Sequence, residues 1–249
     1  MVELFSYSFS PLDLMILISV GLLIGMAKTG VQGTTMIAVP MLAIIFGGMA
    51  STGIMLPLLI FADVFGVRHY HRHAAWLHLK KLLPPAFIGV LLGTLTGSYI
   101  DDAVFLKIMA LILFLTLLNM IWREQREIDI PESPAFVTVI GIAGGFTTMV
   151  GNLAGSVMAI YLLAMRFPKN QFIGTAAWFF LIINLFKVPF HVLVWKTITV
   201  ESFILDILLI PAIAIGAFTG IKITKTIEEK DYRIFVIVMT AIASLAMIV

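Results

Sequence analysis

The chain has 249 residues, of which 61% are hydrophobic and only 12% are charged. Soluble domains carry about 25% charged residues, so this composition excludes an ordinary soluble protein and predicts an integral membrane protein. The net charge is only +2 and cysteine is absent, which excludes disulfides and thiol chemistry and gives no indication of nucleic-acid binding.

The first half of the chain contains five apolar segments. The N-terminus, MVELFSYSFSPLDL, has no basic region and is not typical of a cleaved signal peptide. The segments are 12–27, 33–47, 51–68, 82–100 and 103–121. The first two are short, ~22 Å each at the helical rise, and the polar loop KTGVQ separates them. We expect them to form a helical hairpin that enters the membrane and returns on the same side.

The polar loop of this hairpin places a charge within an apolar stretch. Lys28, Thr29 and Gln32 lie in it, and Gly33 and Thr34 begin the next segment. A charged side chain at membrane depth costs roughly 2.5 to 3.5 kcal/mol, so Lys28 indicates a functional site. In the other interpretation, Lys28 pairs with Asp63 and locks two helices together.

Two further residues of the third segment are candidates. Thr52 opens the segment and Asp63 lies inside it. Asp63 has two interpretations of equal weight: it carries a coupling proton, or it is the partner of Lys28.

The loop RHYHRHAAWLH contains four histidines, at positions 69, 71, 73 and 78. Such a cluster is compatible with a transition metal and hence with a metal transporter. However, Arg68 and Arg72 repel a divalent cation, so a basic loop at the membrane surface is favoured.

The hydrophilic stretch WREQREIDIPESP divides the chain into a first repeat (1–121), a linker (122–134) and a second repeat (135–249). A shift of 122 to 123 positions aligns Gly33 with Gly155 and Thr52 with Thr175. This agreement predicts an internal duplication.

The second half repeats the pattern, with apolar segments at 135–150, 154–167, 172–194, 203–221 and 232–249. Its first two segments flank the loop VGNLA, which contains Gly151 and Asn152, and Gly155 and Ser156 follow. Lys187 is a second lysine in an apolar segment; it either faces the ligand or extends toward the outer interface.

Loop charges predict the orientation. The loops at 68–81, 122–134 and 222–233 are basic, so we place them in the cytoplasm and both termini outside. The expected fold is an all-α, multi-pass cell-membrane protein with two inverted repeats, each a hairpin of short broken helices plus three longer transmembrane helices. Inverted repeats with interrupted helices are typical of transporters, so we expect the hairpin tips to meet near the midplane.

The loop chemistry predicts an anion site. Helix N-termini attract anions, glycine lets a ligand approach the backbone, and two lysines add positive charge. The predicted substrate-binding residues are Lys28, Thr29, Gln32, Gly33, Thr34, Thr52, Gly151, Asn152, Gly155, Ser156, Thr175 and Lys187.

These residues resemble the TauE/SafE sulfite exporter family. The likeness rests on the paired G-x-x-G-[ST] loops, the starts at Ser51-Thr52 and Gly174-Thr175, and the stretch YHRHAAWLHLKKLLPPAFIGVLLGTLTG. That stretch carries the family's Tyr-x-Arg, Trp and spaced glycines as Tyr70, Arg72, Trp76, Gly89, Gly93 and Gly97. The resemblance implies a secondary transporter of sulfite, sulfonates such as sulfoacetate, or related organic anions. The loop KTGVQG is poorer in glycine than the family's usual loop, which marks Lys28 as a specificity feature.

No enzyme motif is present: the chain has no His-Glu-x-x-His, no Gly-x-Ser-x-Gly and no Walker loop. We therefore expect no catalysis, no cofactor and no metal. The expected partners are a small anion, the lipid bilayer and a coupling proton or Na⁺, and a homodimer is compatible with the sequence. The alternatives are an anion channel and, less favoured, a metal cation transporter.

Overall fold

The computed structural model describes residues 2–4, 7–31, 33–124 and 133–228, together with positions 231, 234, 235 and 238. Within these residues a short antiparallel pair of strands, β1 (Val2–Leu4) and β2 (Tyr7–Phe9), precedes ten α-helices. The helices are α1 (Pro11–Lys28), α2 (Thr34–Phe46), α3 (Gly48–Tyr70), α4 (Trp76–Ser98), α5 (Asp102–Glu124), α6 (Pro134–Gly151), α7 (Ala154–Ala164), α8 (Lys169–Pro189), α9 (Val200–Leu208) and α10 (Ile210–Thr226).

The prediction of an all-α membrane protein is confirmed. Five helices of the described residues are long and apolar enough to cross a membrane, and a sixth span results if α9 and α10 are counted together. Many large apolar side chains on the helices are exposed, among them Leu12, Ile44, Leu77, Leu95 and Phe218. An apolar exterior of this kind is what lipid requires.

Most predicted segments match single helices, with three differences. Helices α1 and α6, which were predicted to be short, have 18 residues each and are long enough to cross a membrane. Helix α4 begins at Trp76 rather than at residue 82, and the predicted segment 203–221 is divided between α9 and α10. A 3₁₀ turn (His71–His73) follows α3, and a π-helical turn (Phe190–Val194) follows α8. The segment 232–249 and the linker fall largely outside the described residues.

The first helix of each hairpin begins at a serine cap followed by proline. Ser10 caps α1 and exchanges side-chain hydrogen bonds with Asp13, and Ser133 caps α6 by accepting from the Phe136 N–H. Proline at the first helical position has no N–H to leave unsatisfied. These signals fix the residues at which α1 and α6 begin. Both helices then run inward to the hairpin loops.

Helices from the two halves pack against each other in reciprocal pairs. Helix α1 lies along α10, and α6 lies along α4, while α3 and α8 contact each other. Glycines make both pairs close: Gly25 lies against the Ile213 carbonyl, and Gly145 lies against the Ala86 carbonyl. Each hairpin therefore packs against a long helix of the other half.

The break between α9 and α10 is caused by proline. The two helices meet at an angle of 47° around Leu209. Pro211 has no N–H for the Ile207 carbonyl and its ring crowds that carbonyl. The Leu209 N–H instead donates to the Asp206 and Ile207 carbonyls.

Two groups of loops collect at opposite ends of the bundle. At one end, Lys169 Nζ donates to the Thr224 and Ile227 carbonyls at 3.2 and 2.7 Å, closing the C-terminus of α10. At the other end, the Asp102 carboxylate accepts from the N–H groups of Gly48 and Met49 at 3.0 and 2.7 Å, closing the N-terminus of α3.

We predict that two neighbouring glycines of α6 differ sharply in tolerance. Gly145→Ala drives a methyl group into the Ala86 backbone and costs about 1–3 kcal/mol, the usual range for overpacking. Gly144→Ala meets its nearest neighbours, Phe179 and Val157, at an ordinary 3.9 Å, and should be neutral or stabilising by up to ~1 kcal/mol. The melting temperatures of the two purified variants in detergent make the comparison. Equal melting temperatures would contradict the close α4–α6 packing.

Candidate functional site

The loop of the first hairpin depends on two glycines. Gly30 and Gly33 have backbone φ values of +124° and +92°, which residues other than glycine rarely adopt. Gly30 also lies against the Thr224 side chain of α10. Gly33 is the N-cap of α2, so the loop delivers the N-terminus of α2 to the interior.

The loop of the second hairpin turns at an asparagine. Asn152 ends α6 in the left-handed conformation (φ +57°), and its N–H bonds to the Thr148 carbonyl at 3.0 Å. Its side-chain Nδ2 donates to the Thr52 carbonyl at 3.1 Å. The second loop is thereby tied to the start of α3, in the other half of the chain.

The two hairpin tips lie at different levels along α3. The Lys28 carbonyl packs against Gly66, whereas Asn152 binds Thr52. Residues 52 and 66 of one helix are about 21 Å apart. The backbones of the two tips are therefore offset along α3, and a cavity and a polar network lie between them. That the tips meet near the midplane stays a prediction.

The first part of this network is an ion pair. Lys28 Nζ lies 2.9 Å from Asp63 Oδ1, and both side chains are buried. Lys28 thus engages one carboxylate oxygen of Asp63, and the other, Oδ2, accepts a hydrogen bond from Asn184 Nδ2 at 2.7 Å. Lys28 Nζ also lies 3.9 Å from the centre of the Phe180 ring, a cation–π contact. The Lys28–Asp63 pairing, which was the alternative interpretation of Lys28 in the sequence, is present.

The second part of the network is Lys187. It is fully buried, and its Nζ donates to the Thr148 carbonyl at 2.7 Å and to Asn152 Oδ1 at 2.6 Å. Longer bonds reach Thr148 Oγ1 at 3.2 Å and Asn184 Oδ1 at 3.4 Å. All four of these acceptors are uncharged. Lys187 faces inward to the second hairpin, so the alternative that it extends to the outer interface is wrong.

A cavity of about 30 Å³ lies between the two tips. A cavity needs roughly 10–15 Å³ to hold one water molecule, so this one holds very few atoms. It is bounded by the beginnings of α2 and α7, by the end of α1, and by parts of α3, α6 and α8. Its polar lining consists of Lys28, Thr35, Thr148, Asn152 and Asn184, with Gly33 and Gly155 contributing backbone.

Of the predicted site residues, four line the cavity: Lys28, Gly33, Asn152 and Gly155. Lys187 contacts it indirectly, through Asn152 and Asn184. Gly155 has open space where a side chain would be, which leaves its backbone accessible. Gln32 and the Ser156 side chain are outside the part of the chain that the structure describes.

The other predicted residues have structural contacts. The Thr29 hydroxyl lies within hydrogen-bond distance of the Gly25, Met26 and Ala217 carbonyls, and the Thr34 hydroxyl of the Leu23 and Val31 carbonyls. Thr52 donates to the Met49 carbonyl, and Thr175 accepts from the Ala75 N–H. Gly151 packs against Leu153 and Met109. None of these five is among the residues that line the cavity.

Three polar lining residues are outside the set of predicted binding residues. Thr35 follows Thr34 on α2, Thr148 lies one turn before Asn152, and Asn184 lies one turn before Lys187. Residues three or four apart share a helix face, so the spacing from Asn152 and Lys187 was a usable signal.

The histidine-rich loop gives no metal site in the structure. In the described residues, no group of three or more His, Cys, Asp or Glu side chains is placed to hold a metal ion. His78 Nδ1 lies 2.8 Å from the Tyr161 hydroxyl, and His71 Nδ1 lies 3.2 Å from the Arg68 carbonyl. These contacts are structural.

Comparison with known proteins gives one match. The model of the family described as Sulfite exporter TauE/SafE matches residues 17–247, nearly the whole chain. The chain has no significant match among the curated proteins or among the solved structures.

We predict that removing one partner of the Lys28–Asp63 pair destabilises the protein more than removing both. Lys28→Met leaves the buried Asp63 carboxylate with Asn184 alone, and breaking a buried ion pair in this way costs about 3–5 kcal/mol. The double variant Lys28→Met, Asp63→Asn removes both charges and should recover most of that loss. Melting temperatures of the purified proteins measure the effect.

Lys80→Met is the matched control, since Lys80 is an exposed lysine near the start of α4. Its melting temperature should equal that of the wild type. A double variant no more stable than Lys28→Met would show that the ion pair is not the cause of the loss.

Proposed function

The chain belongs to the sulfite exporter TauE/SafE family of membrane transporters, and we propose that it is a secondary transporter of small sulfur-containing oxyanions. Sulfite and the sulfonate group of compounds such as sulfoacetate are the substrates that fit the proposal. The site is the cavity between the two hairpin tips. Asn152 and the beginnings of α2 and α7 bind the anion, Lys187 attracts it through its charge behind Asn152 and Asn184, and Lys28 lines the cavity in its ion pair with Asp63.

One observation carries this proposal: the buried charges of the site do not cancel. Lys28 and Asp63 neutralise each other in the ion pair, and Lys187 has only uncharged acceptors. One positive charge is therefore left over beside the cavity. A buried charge without a partner is costly, and a bound anion supplies the partner.

The backbone around the cavity favours the same ligand. The first N–H groups of a helix have no partner within the helix, and its N-terminus carries partial positive charge. Gly33 and Thr35 bring the beginning of α2 to the cavity, and Gly155 brings the beginning of α7. Two helix N-termini from the two hairpins are thus available to anionic oxygens.

The arrangement of the hairpins supports alternating access. One tip lies toward each end of the bundle, with the cavity between them, so that movement of either hairpin would open the cavity to one side. We propose that the two halves, 1–121 and 135–249, are inverted repeats and that both termini lie outside the cell. The small cavity favours this mechanism over the anion channel, which requires a continuous pore.

We predict that anion affinity follows the summed charge of Lys28, Asp63 and Lys187. Lys187→Gln keeps a hydrogen-bond donor but removes the excess charge. Two unit charges about 6–8 Å apart attract each other by roughly 2–3 kcal/mol at an effective dielectric constant of about 20, so affinity for sulfite should fall roughly tenfold to a hundredfold. Lys28→Met, Asp63→Asn keeps the excess charge and should bind within a few-fold of the wild type. Calorimetric titration of sulfite, sulfate and sulfoacetate provides the affinities.

Flux measurements complete this test. Wild-type protein in liposomes should exchange labelled sulfite for unlabelled sulfite in a saturable manner. Flux that never saturates would indicate a channel. Transport of divalent metal ions, lost when His71 and His73 are replaced, would indicate the metal transporter instead.

Single cysteines introduced at exposed positions test the predicted topology, since the chain contains no native cysteine. Cysteines at positions 72 and 225 should react with a membrane-impermeant maleimide from the cytoplasmic side, and those at 101 and 196 from the outside. Labelling of 72 and 225 from opposite sides would contradict the inverted arrangement.

A further inference from the structure

Helix α9 contains a buried carboxyl group without a partner. Asp206 has an exposed fraction of 0%. Among the residues that the structure describes, neither of its carboxyl oxygens has a hydrogen-bond donor, and no lysine or arginine forms an ion pair with it. Asp63, equally buried, has both kinds of partner. The two aspartates are therefore in different chemical situations.

The surroundings of Asp206 favour a neutral acid. Leu205 directly precedes Asp206, and Leu209 follows three residues later. Both leucines belong to one apolar core cluster with residues of α1, α2 and α3. An isolated carboxylate in an apolar interior is so costly that the group takes up a proton instead. Even a neutral acid is less favourable here than leucine would be, so the residue indicates function rather than packing.

Asp206 also lies at the point where its helix is interrupted. Its own carbonyl accepts from the Leu209 N–H, at the break that Pro211 causes. It lies seven positions after Thr199, the N-cap of α9, and is therefore about 10 Å from the end of the bundle at which α9 begins. A change in the angle between α9 and α10 would change what surrounds the carboxyl group.

Other titratable side chains on the helices packed against α9 are engaged or remote. On α3, Asp63 is held by Lys28 and Asn184. On α1, Asp13 is bonded to Ser10 in the first turn and Lys28 is held by Asp63. The rest lie in the last turn of α3, the last two turns of α10 and the first turn of α9. They are Arg68, His69, Tyr70, Lys222, Lys225 and Glu201.

We propose that Asp206 is the proton-binding residue that couples anion movement to the proton gradient. In the conformation described here the carboxyl group is protonated and occluded. When the angle between α9 and α10 changes and water reaches the carboxyl group, Asp206 transfers its proton to water. A carboxylate and a hydrated proton result. That carboxylate takes up a proton before it is buried again. No electron transfer and no further reactant are needed.

This inference rests on the proposed function, since a coupling site needs a transported substrate. It reassigns the coupling role considered for Asp63 in the sequence, because Asp63 is held in an ion pair. Binding a proton requires one acidic group, whereas binding Na⁺ requires several oxygen ligands. The other oxygen-bearing side chain nearby on α9, that of Ser202, is hydrogen-bonded to Thr199. The arrangement therefore favours a proton.

The test uses Asp206→Asn, which has the size of the protonated acid but cannot release a proton. Wild-type protein in liposomes should accumulate labelled sulfite in response to a pH gradient, and a dye inside the vesicles should report proton movement when sulfite is added. The variant should lose both responses at least tenfold, yet keep sulfite exchange at equal concentrations on both sides within a few-fold.

Glu201→Gln is the matched control, since it neutralises a partly exposed carboxyl group in the first turn of the same helix. It should keep both responses. Gradient-driven accumulation that survives in Asp206→Asn would overturn the proposal, as would accumulation that follows Na⁺ rather than H⁺. Sulfite flux without proton movement in the wild type would overturn this inference alone, whereas absence of sulfite flux would overturn the proposed function.

Infrared spectroscopy supplies a readout that does not depend on transport. The purified wild type at neutral pH should show the carbonyl stretch of a protonated carboxylic acid, and Asp206→Asn should lack it. The same band in both proteins, or in neither, would show that Asp206 is not the protonated group. A melting temperature near that of the wild type confirms that the variant is folded.

Discussion

The rest of the structure depends on the satisfaction of charge at membrane depth. Among the described residues two lysines and two aspartates are buried. Lys28, Asp63 and Lys187 must find partners within the protein because water and lipid cannot supply them. Lys28 binds Asp63, Asp63 binds Asn184, and Lys187 binds Asn184 and Asn152. These bonds join α1, α3, α8 and the second hairpin loop, so the residues that would bind substrate also hold the two halves together.

Close packing of backbone provides the frame for this network. Gly25 lets α1 approach α10, and Gly145 lets α6 approach α4. In a membrane, where apolar side chains gain little by leaving lipid, such small residues allow the contacts that bind helices to each other. Both pairs join different halves, so neither half has a complete set of packing partners of its own, although the sequence divides cleanly between them.

Much of the fold could be predicted because hydropathy and loop residues report it directly. The two hairpins and their glycine and asparagine turns follow from the positions of polar residues in apolar segments, although α1 and α6 are longer than predicted. The Lys28–Asp63 pair was one of two interpretations of Lys28 that the same positions allowed. The threonines could not be assigned: a hydroxyl can bond to the carbonyl three or four residues earlier, as in Thr29 and Thr52, and no sequence pattern shows whether it does. The different levels of the two tips were also hidden, because they depend on the contacts with α3.

The break at Leu209 was missed for a related reason. An apolar segment interrupted by proline has the same mean hydropathy as a continuous one, and Pro40 and Pro57 lie inside unbroken helices. The break matters because it places Asp206 at a joint, without the partners that Asp63 has. Two aspartates of one membrane protein thus illustrate how surroundings determine chemistry. An aspartate beside a lysine is held as a charge and organises a site, whereas one among leucines keeps its proton until the structure around it moves.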